Sequence, residues 1–332
     1  MALLSLAERS AHWHPAILLA LFLAASFLMI WRLEGMMKAG VEGTVLGTLV
    51  MPYCSGIGNL VFAWVVANSN ADSGEVITNC LVNNVTNLTL LIGLPTLLWG
   101  APLLGGKAAR TRISRKGETE QRLNRLSLLL TLTAVLFFSG AVWALARDGR
   151  LDFADGLVLV GLFLFWQCFH VFDVLKSNVR GNRSFSPRLI LDLALLGIGA
   201  WATYLSVNGL VQWVGGIETG FFRAGNLGWL SGCLMVVPNA LLALYYGWKR
   251  RPDIIYSSQV GDGHICIPLC IGIAACYTPI TVPSITDPGL LILAASAIVH
   301  FALVLAFRNP PRLAGILLTL IYTLFVYRGW IG

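Results

Sequence analysis

The chain is 332 residues long, 57% apolar and only 12% charged, about half the charged share of a soluble domain, roughly 25%. With a mean hydropathy of +0.75 and apolar runs recurring from end to end, this composition excludes an ordinary soluble enzyme and predicts a polytopic α-helical membrane protein. The net charge of +7 does not point to nucleic acid, because the basic residues sit in short clusters between apolar runs, where orientation in a bilayer accounts for them.

A window of about 20 apolar residues, enough to cross a hydrocarbon core of roughly 30 Å, predicts ten spans: 15–33, 43–67, 74–99, 127–146, 154–175, 189–208, 227–248, 253–277, 288–307 and 312–330. The first run lacks a small-residue cleavage site and has the length of a true span, so it reads as a helix that stays on the protein rather than a signal peptide. Span two carries Pro52, Gly56 and Gly58, and span seven Gly232 and Pro238. That punctuation predicts broken helices in both, a device by which transporters expose backbone carbonyls and half-helix ends near the midplane.

Span three is unusually polar, with Glu75, Thr78, Asn79, Asn83, Asn84, Thr86, Asn87 and Thr89 in close succession. A lipid-facing helix does not carry these groups, since each unsatisfied polar group in hydrocarbon costs several kcal/mol. Asn79, Asn83 and Thr86 follow an i, i+4, i+7 stripe with Asn84 and Asn87 beside it, so one face is rich in amide oxygens. Such a face suits hard cations such as Na+ or Ca2+; the plainer alternative is amides that bind helix to helix. The basic run Lys107 to Arg125 then reads as a solvated cytoplasmic loop. His170 and Asp173 in span five, Asp192 at the start of span six and His300 in span nine read as structural.

Span eight holds Ser257, Ser258, Gln259, Asp262 and His264, with Gly261, Gly263 and Pro268 among them. An ionisable residue at membrane depth marks a functional site by default, which makes Asp262 the leading candidate; its alternative is a carboxylate paired with His264 or a neighbouring amide for packing. The seven cysteines all fall within apolar stretches without CxxC spacing and read as buried structural thiols.

Counting Lys and Arg by side gives 18 on one face and 5 on the other, so the positive-inside rule places both termini on the non-cytoplasmic side. Halving the chain leaves five spans in each part, an odd number, which inverts the second part relative to the first. The expected fold is therefore all-α, ten transmembrane helices in two inverted five-helix repeats: residues 1–176, a cytoplasmic linker at 177–187, and residues 188–332. Aligning spans two and three with seven and eight sets Asn59 opposite Asn239, and Leu91-Ile-Gly93 opposite Cys270-Ile-Gly272.

With these residues in view the chain resembles the calcium/cation antiporter superfamily, the sodium/calcium exchanger fold, whose repeats each carry a GTSxPE-type motif and then a PDxxxGNxxGSNxxN-type motif. Cys54-Ser-Gly-Ile-Gly-Asn59 and Met235-Val-Val-Pro-Asn239 stand where the GTSxPE motifs would be. Val82-Asn-Asn84-Val-Thr-Asn87 stands at GSNxxN, and the stretch from Pro252 to Gly263 matches the second long motif in spacing. The resemblance implies that the two motif glutamates, central Ca2+ ligands in the family, are asparagine here, at Asn59 and Asn239. It also places Asp262 one residue before the family's second-repeat Asn/Asp position, which is Gly263 here.

These readings together point to a secondary transporter, cation antiporter-like, with an altered ion site; the alternative is a non-transporting membrane subunit or scaffold that keeps the exchanger fold. The ion- or substrate-binding residues expected are Asn59, Asn83, Asn84, Asn87, Asn239, Asp262 and His264, with Asp262 and Asn84 at the cation itself. No enzyme motif such as HExxH or GxSxG is present, and no cofactor is expected beyond a bound Na+, Ca2+ or proton. The expected partners are the lipid bilayer, a monovalent or divalent cation and, on the scaffold reading, another membrane protein. The expected location is the cytoplasmic (inner) membrane or another cellular membrane.

Overall fold

The computed structural model describes residues 10, 12–38, 51–100, 115–178, 187–249, 252–306 and 310–331. Their helices follow the apolar runs: α1 (Pro15–Lys38), α2 (Met51–Ala67), α3 (Gly74–Leu88), α4 (Leu90–Trp99), α5 (Arg115–Leu145), α6 (Phe153–Asn178), α7 (Pro187–Gly215), α8 (Leu227–Trp248), α9 (Pro252–His264), α10 (Ile271–Tyr277), α11 (Thr286–Ala306) and α12 (Arg312–Val326). Among the described residues eight helical stretches are long and apolar enough to cross a membrane, and two shorter apolar helices, Gly56–Ala67 and Phe153–Cys168, stand at spans two and five. Residues 43–50 of the expected second span, and most of the expected linker at 177–187, lie outside the described residues.

Two spans are assembled from shorter pieces. Span three is α3 followed by α4, interrupted at Thr89, whose backbone sits at φ −108° and ψ −74°. Span eight is α9, a π-helical stretch Ile265–Cys270 containing Pro268, and α10. A proline inside a helix removes one backbone hydrogen bond, and a π turn accommodates the loss locally. The breaks therefore fall in spans three and eight, whereas α2 and α8 run on despite their Gly and Pro.

In α2 and α8 the glycines serve close approach between helices. A Cβ at Gly58 would stand 2.5 Å from Met235 Sδ, and one at Gly232 would stand 2.8 Å from Val82 Cβ. Small residues at such crossings are the usual means by which helices pack in a bilayer.

The packing repeats after five spans. α1 lies on α7 and α5 on α11, pairs that map onto themselves; α3 lies on α8, while span eight lies on α2; α4 lies on α12, while α10 lies on α6. The sequence alignment of Gly93 with Gly272 has a direct counterpart here. A Cβ at Gly315 would meet Gly93 O at 2.7 Å, and a Cβ at Gly156 would meet Gly272 O at the same distance.

One feature had no signal in the sequence, a two-residue antiparallel pair of β1 (Arg150–Leu151) and β2 (Ile280–Thr281), in register Arg150 to Thr281 and Leu151 to Ile280. Beside it the Ser73 hydroxyl donates to Pro279 O at 3.0 Å. Three connections, between spans two and three, four and five, and eight and nine, thus meet on one face, as they must if every span crosses the bilayer.

Polar groups at the break in span three are matched one by one. The Thr89 hydroxyl donates to Val85 O, and Thr86 Oγ1 donates to Val82 O at 2.6 Å. The carbonyl of Leu88, freed where α3 ends, is met by Nε2 of His300 from α11. His300→Phe removes that donor and leaves a buried carbonyl bare, so it is expected to lower stability by about 1–3 kcal/mol. Thermal unfolding in detergent checks this, and an unchanged midpoint would remove His300 from the account of the break.

Candidate functional site

Asp262, on the last turn of α9, has no solvent exposure and is the one fully buried carboxylate among the described residues. Its Oδ2 accepts from three side-chain amides: Asn83 Nδ2 at 2.8 Å, Asn87 Nδ2 at 2.8 Å and Asn239 Nδ2 at 3.2 Å. Asn83 and Asn87 reach it from successive turns of α3, and Asn239 from α8. An ionised carboxylate is an acceptor only, and three N–H donors on one oxygen satisfy it without a counter-charge from those groups.

Each amide that gives its nitrogen to Asp262 or to a neighbour still has a carbonyl to satisfy. The Oδ1 atoms of Asn83 and Asn87 are buried without a hydrogen-bond partner, as is that of Asn79, whose Nδ2 donates to Ser231 Oγ at 2.9 Å. Asn59 on α2 is buried with both its Oδ1 and Nδ2 unmatched, and Gln259 Oε1, one turn before Asp262, is unmatched too. The large majority of buried side-chain polar atoms are matched, so a group of orphaned carbonyls around a buried acid needs an explanation. Bare oxygens beside a carboxylate are what a dehydrated cation requires.

The other expected site residues divide. Asn84 lies in the same layer, but its Nδ2 donates back to Cys80 O on its own helix at 2.6 Å. Its Oδ1 faces Gly263, where an added Cβ would stand 3.1 Å from it, so glycine beside Asp262 leaves room for that oxygen. His264 faces α5 and α6: Trp166 Nε1 donates to its Nδ1 at 3.2 Å, and its Nε2 meets Thr131 O at 3.1 Å. Those partners define a neutral ring with its proton on Nε2, bridging three helices. Asn83, Asn87 and Asn239 are thus brought directly onto Asp262, whereas Asn59, Asn84 and His264 have no direct bond to it among those described above.

Two further acidic residues have structural partners. Glu75 Oε2 accepts from the backbone N–H of Gly228 at the start of α8, a position where the helix dipole favours a negative charge. Asp192 pairs with Arg32 at 3.3 Å and joins α7 to α1. The side chains of His170 and Asp173 lie outside the described residues. The cysteines are not uniformly buried: Cys80, Cys266 and Cys270 are, Cys233 and Cys276 are half-buried, and Cys168 is exposed on α6.

Cys266 is the participant that reading the sequence overlooked. Its Sγ accepts from Asn83 Nδ2 at 3.3 Å, the same nitrogen that donates to Asp262. The signal was its i+4 position from Asp262 on a helical face, masked by the ordinary use of cysteine as a small apolar residue.

The comparisons agree with this architecture. The family model described as Sodium/calcium exchanger protein matches residues 13–172. No curated protein matches the chain in sequence. Among solved structures, the sodium-calcium exchanger NCX_Mj soaked with 2.5 mM Na+ and 10 mM Sr2+ superposes with a TM-score of 0.64 at 16% identity, covering 95% of this chain and 96% of that one. The same exchanger soaked without Na+ and Ca2+ gives a TM-score of 0.61 at 15% identity over the same shares. The exchanger fold thus extends over nearly the whole length of the chain, and the likeness to the exchanger family model covers its first five spans.

Proposed function

We propose that the protein is a cation antiporter-like secondary transporter whose ion site is recast around a single carboxylate, Asp262. The observation that carries this reading is the convergence of three asparagine amides from two helices on Asp262 Oδ2, with the carbonyls of two of them left bare. The amide nitrogens on Asp262 Oδ2 stand in for a cation. When a cation enters, the amides of Asn83 and Asn87 turn, exchange N–H for C=O, and present the oxygens that are now orphaned. Asn59, Asn84 and Asn239 supply the surrounding polar layer, and His264 fixes the last turn of α9 by its bonds to α5 and α6.

Charge sets what the site accepts. One carboxylate neutralises one monovalent cation or one proton; a divalent ion in a low-dielectric interior needs a second anionic ligand or it leaves a costly uncompensated charge. Alternating access then exposes the site to either side of the membrane, and the distribution of basic residues supports a topology with both termini on the non-cytoplasmic face.

The test is thermal stability of the purified protein against Na+, K+, Li+, Ca2+, Mg2+, Mn2+ and Cd2+, followed by cation flux in proteoliposomes. A ligand of the folded state at about 100 times its Kd stabilises by about 2.7 kcal/mol. A saturable shift for one cation, lost together with flux in Asp262→Asn, is the expected result. If no cation, soft ones included, shifts the midpoint and no flux is seen from a folded protein, the protein is a non-transporting subunit of the same fold, and a partner that co-purifies stoichiometrically would identify that role.

A further inference from the structure

The position of the Asn83 amide says more about which cation the site takes. Asn83 Nδ2 lies between two acceptors, 2.8 Å from Asp262 Oδ2 and 3.3 Å from Cys266 Sγ. A group carrying partial positive charge, shared between a carboxylate oxygen and a sulfur, occupies a position that suits a metal ion between the same two atoms. Zinc takes carboxylate oxygen at about 2.0–2.2 Å and thiolate sulfur at about 2.3 Å, so the two ligands need only close inward once the amide swings out. That swing carries the unpartnered Asn83 Oδ1 towards the space it vacates.

The surroundings of Cys266 are also unusual for a packing cysteine. Asp262, Cys266 and Cys270 follow one another at i, i+4 and i+8 along span eight, all buried and all towards α3. Cys270 lies beside both Cys266 and Cys80. A column of carboxylate, thiol and thiol therefore runs from the site along the helix, with Cys80 closing it from α3. Sulfur is a soft donor that selects against Ca2+ and Mg2+ and in favour of thiophilic metals.

Resting on the reading of Asp262 as the ion site, we propose that its cargo is a thiophilic divalent cation of the Zn2+ or Cd2+ class, held by Asp262 and Cys266 together. On binding, the Sγ–H bond of Cys266 breaks and an Sγ–metal bond forms, the proton leaving to water. Carboxylate and thiolate then supply two negative charges to a doubly charged ion. This answers the charge constraint that Asp262 alone imposes. Among the described residues no three carboxylate, thiol or imidazole groups converge as a closed metal cage. The first ligands are accordingly a pair, completed by the amide oxygens of Asn83 and Asn87 or by water, an open set suited to an ion that must leave again.

The experiment is a Cd2+ titration of the purified full-length protein in detergent, following the ultraviolet thiolate-to-Cd2+ charge-transfer band and the thermal midpoint together. The band is expected to saturate with a raised midpoint. Cys266→Ser, which keeps an acceptor for Asn83, should weaken Cd2+ by at least the roughly 10–100-fold that even an outer-shell partner is worth at a metal site. Asp262→Asn should weaken it similarly, and Cys168→Ser should leave both readouts unchanged. A band that survives Cys266→Ser overturns the proposal. If Na+ or another hard cation stabilises the wild type and Cys266→Ser alike, and only Asp262→Asn abolishes that effect, the thiophilic cargo is wrong while the Asp262 transport site stands. If Asp262→Asn alters the response to no cation, both readings fall.

Discussion

Asp262→Ala is expected to be the most damaging single substitution at the site, while Asp262→Asn is expected to leave the empty protein at least as stable as the wild type. The sign follows from what each change leaves behind. Alanine removes the acceptor shared by Asn83, Asn87 and Asn239, and each buried donor left unmatched costs about 1–3 kcal/mol. Removing the charge returns something, since a buried carboxylate carries a desolvation penalty of several kcal/mol. With three donors orphaned together, the loss outweighs that relief. Asparagine keeps a carbonyl oxygen at the same place, gives up the charge and exchanges the second carboxylate oxygen for an amide nitrogen. Thermal unfolding in cation-free detergent should therefore rank Asp262→Asn at or above the wild type and Asp262→Ala far below, with the ion response absent from both. An Asp262→Ala protein as stable as the wild type would mean that the three amides find other acceptors, and the convergence on Asp262 would lose its energetic meaning.

The contrast between those variants also separates stability from function. A site kept only to hold helices together would gain by becoming neutral, because three amides around an asparagine are satisfied without any desolvated charge. The retention of an acid where an amide would serve the fold is an argument that the charge meets something that comes and goes.

What the sequence disclosed, and what it hid, follows from the length scales of the forces involved. The ten spans were legible because crossing a bilayer demands about 20 apolar residues in a row, and the helices fall on those runs. The facing of spans three and eight was legible because polar residues in lipid must find one another: the asparagines of α3 and the acid of α9 have no better partners. Which glycines and prolines break a helix was not legible. Gly58 and Gly232 let neighbouring helices close in, Pro238 stays within a continuous α8, and only Pro268 sits in a distorted turn. In each case a glycine or proline stands in a largely apolar span; the difference lies in what packs against it. For the same reason the i+4 spacing of Cys266 from Asp262 did not disclose its bond to Asn83, and the two-residue pairing of Arg150–Leu151 with Ile280–Thr281 is too short to leave a pattern.

Gly156→Ala and Gly315→Ala are expected to be equally harmful although they lie in different halves of the chain, because they occupy matching places in the two repeats. A Cβ on Gly156 would stand 2.7 Å from both Gly272 O and Cys276 N; one on Gly315 would stand 2.7 Å from both Gly93 O and Leu97 N. The obstructing atoms are backbone, so no side chain can rotate away and the helices α6 and α10, or α12 and α4, must separate. Overpacking of this kind costs about 1–3 kcal/mol, and leucine at either position should prevent folding. Gly161 provides the control on α6 itself: nothing lies within 4 Å of its added Cβ, so Gly161→Ala should be neutral or stabilise by up to about 1 kcal/mol through helix propensity. The two harmful changes touch different helix pairs and share no partner, so the double variant should lose the sum of the single effects. Thermal midpoints of the single and double alanine variants decide the matter. If Gly156→Ala proves as mild as Gly161→Ala while Gly315→Ala does not, the two halves are packed by different rules, and the site loses the symmetry on which an alternating-access mechanism of this fold depends.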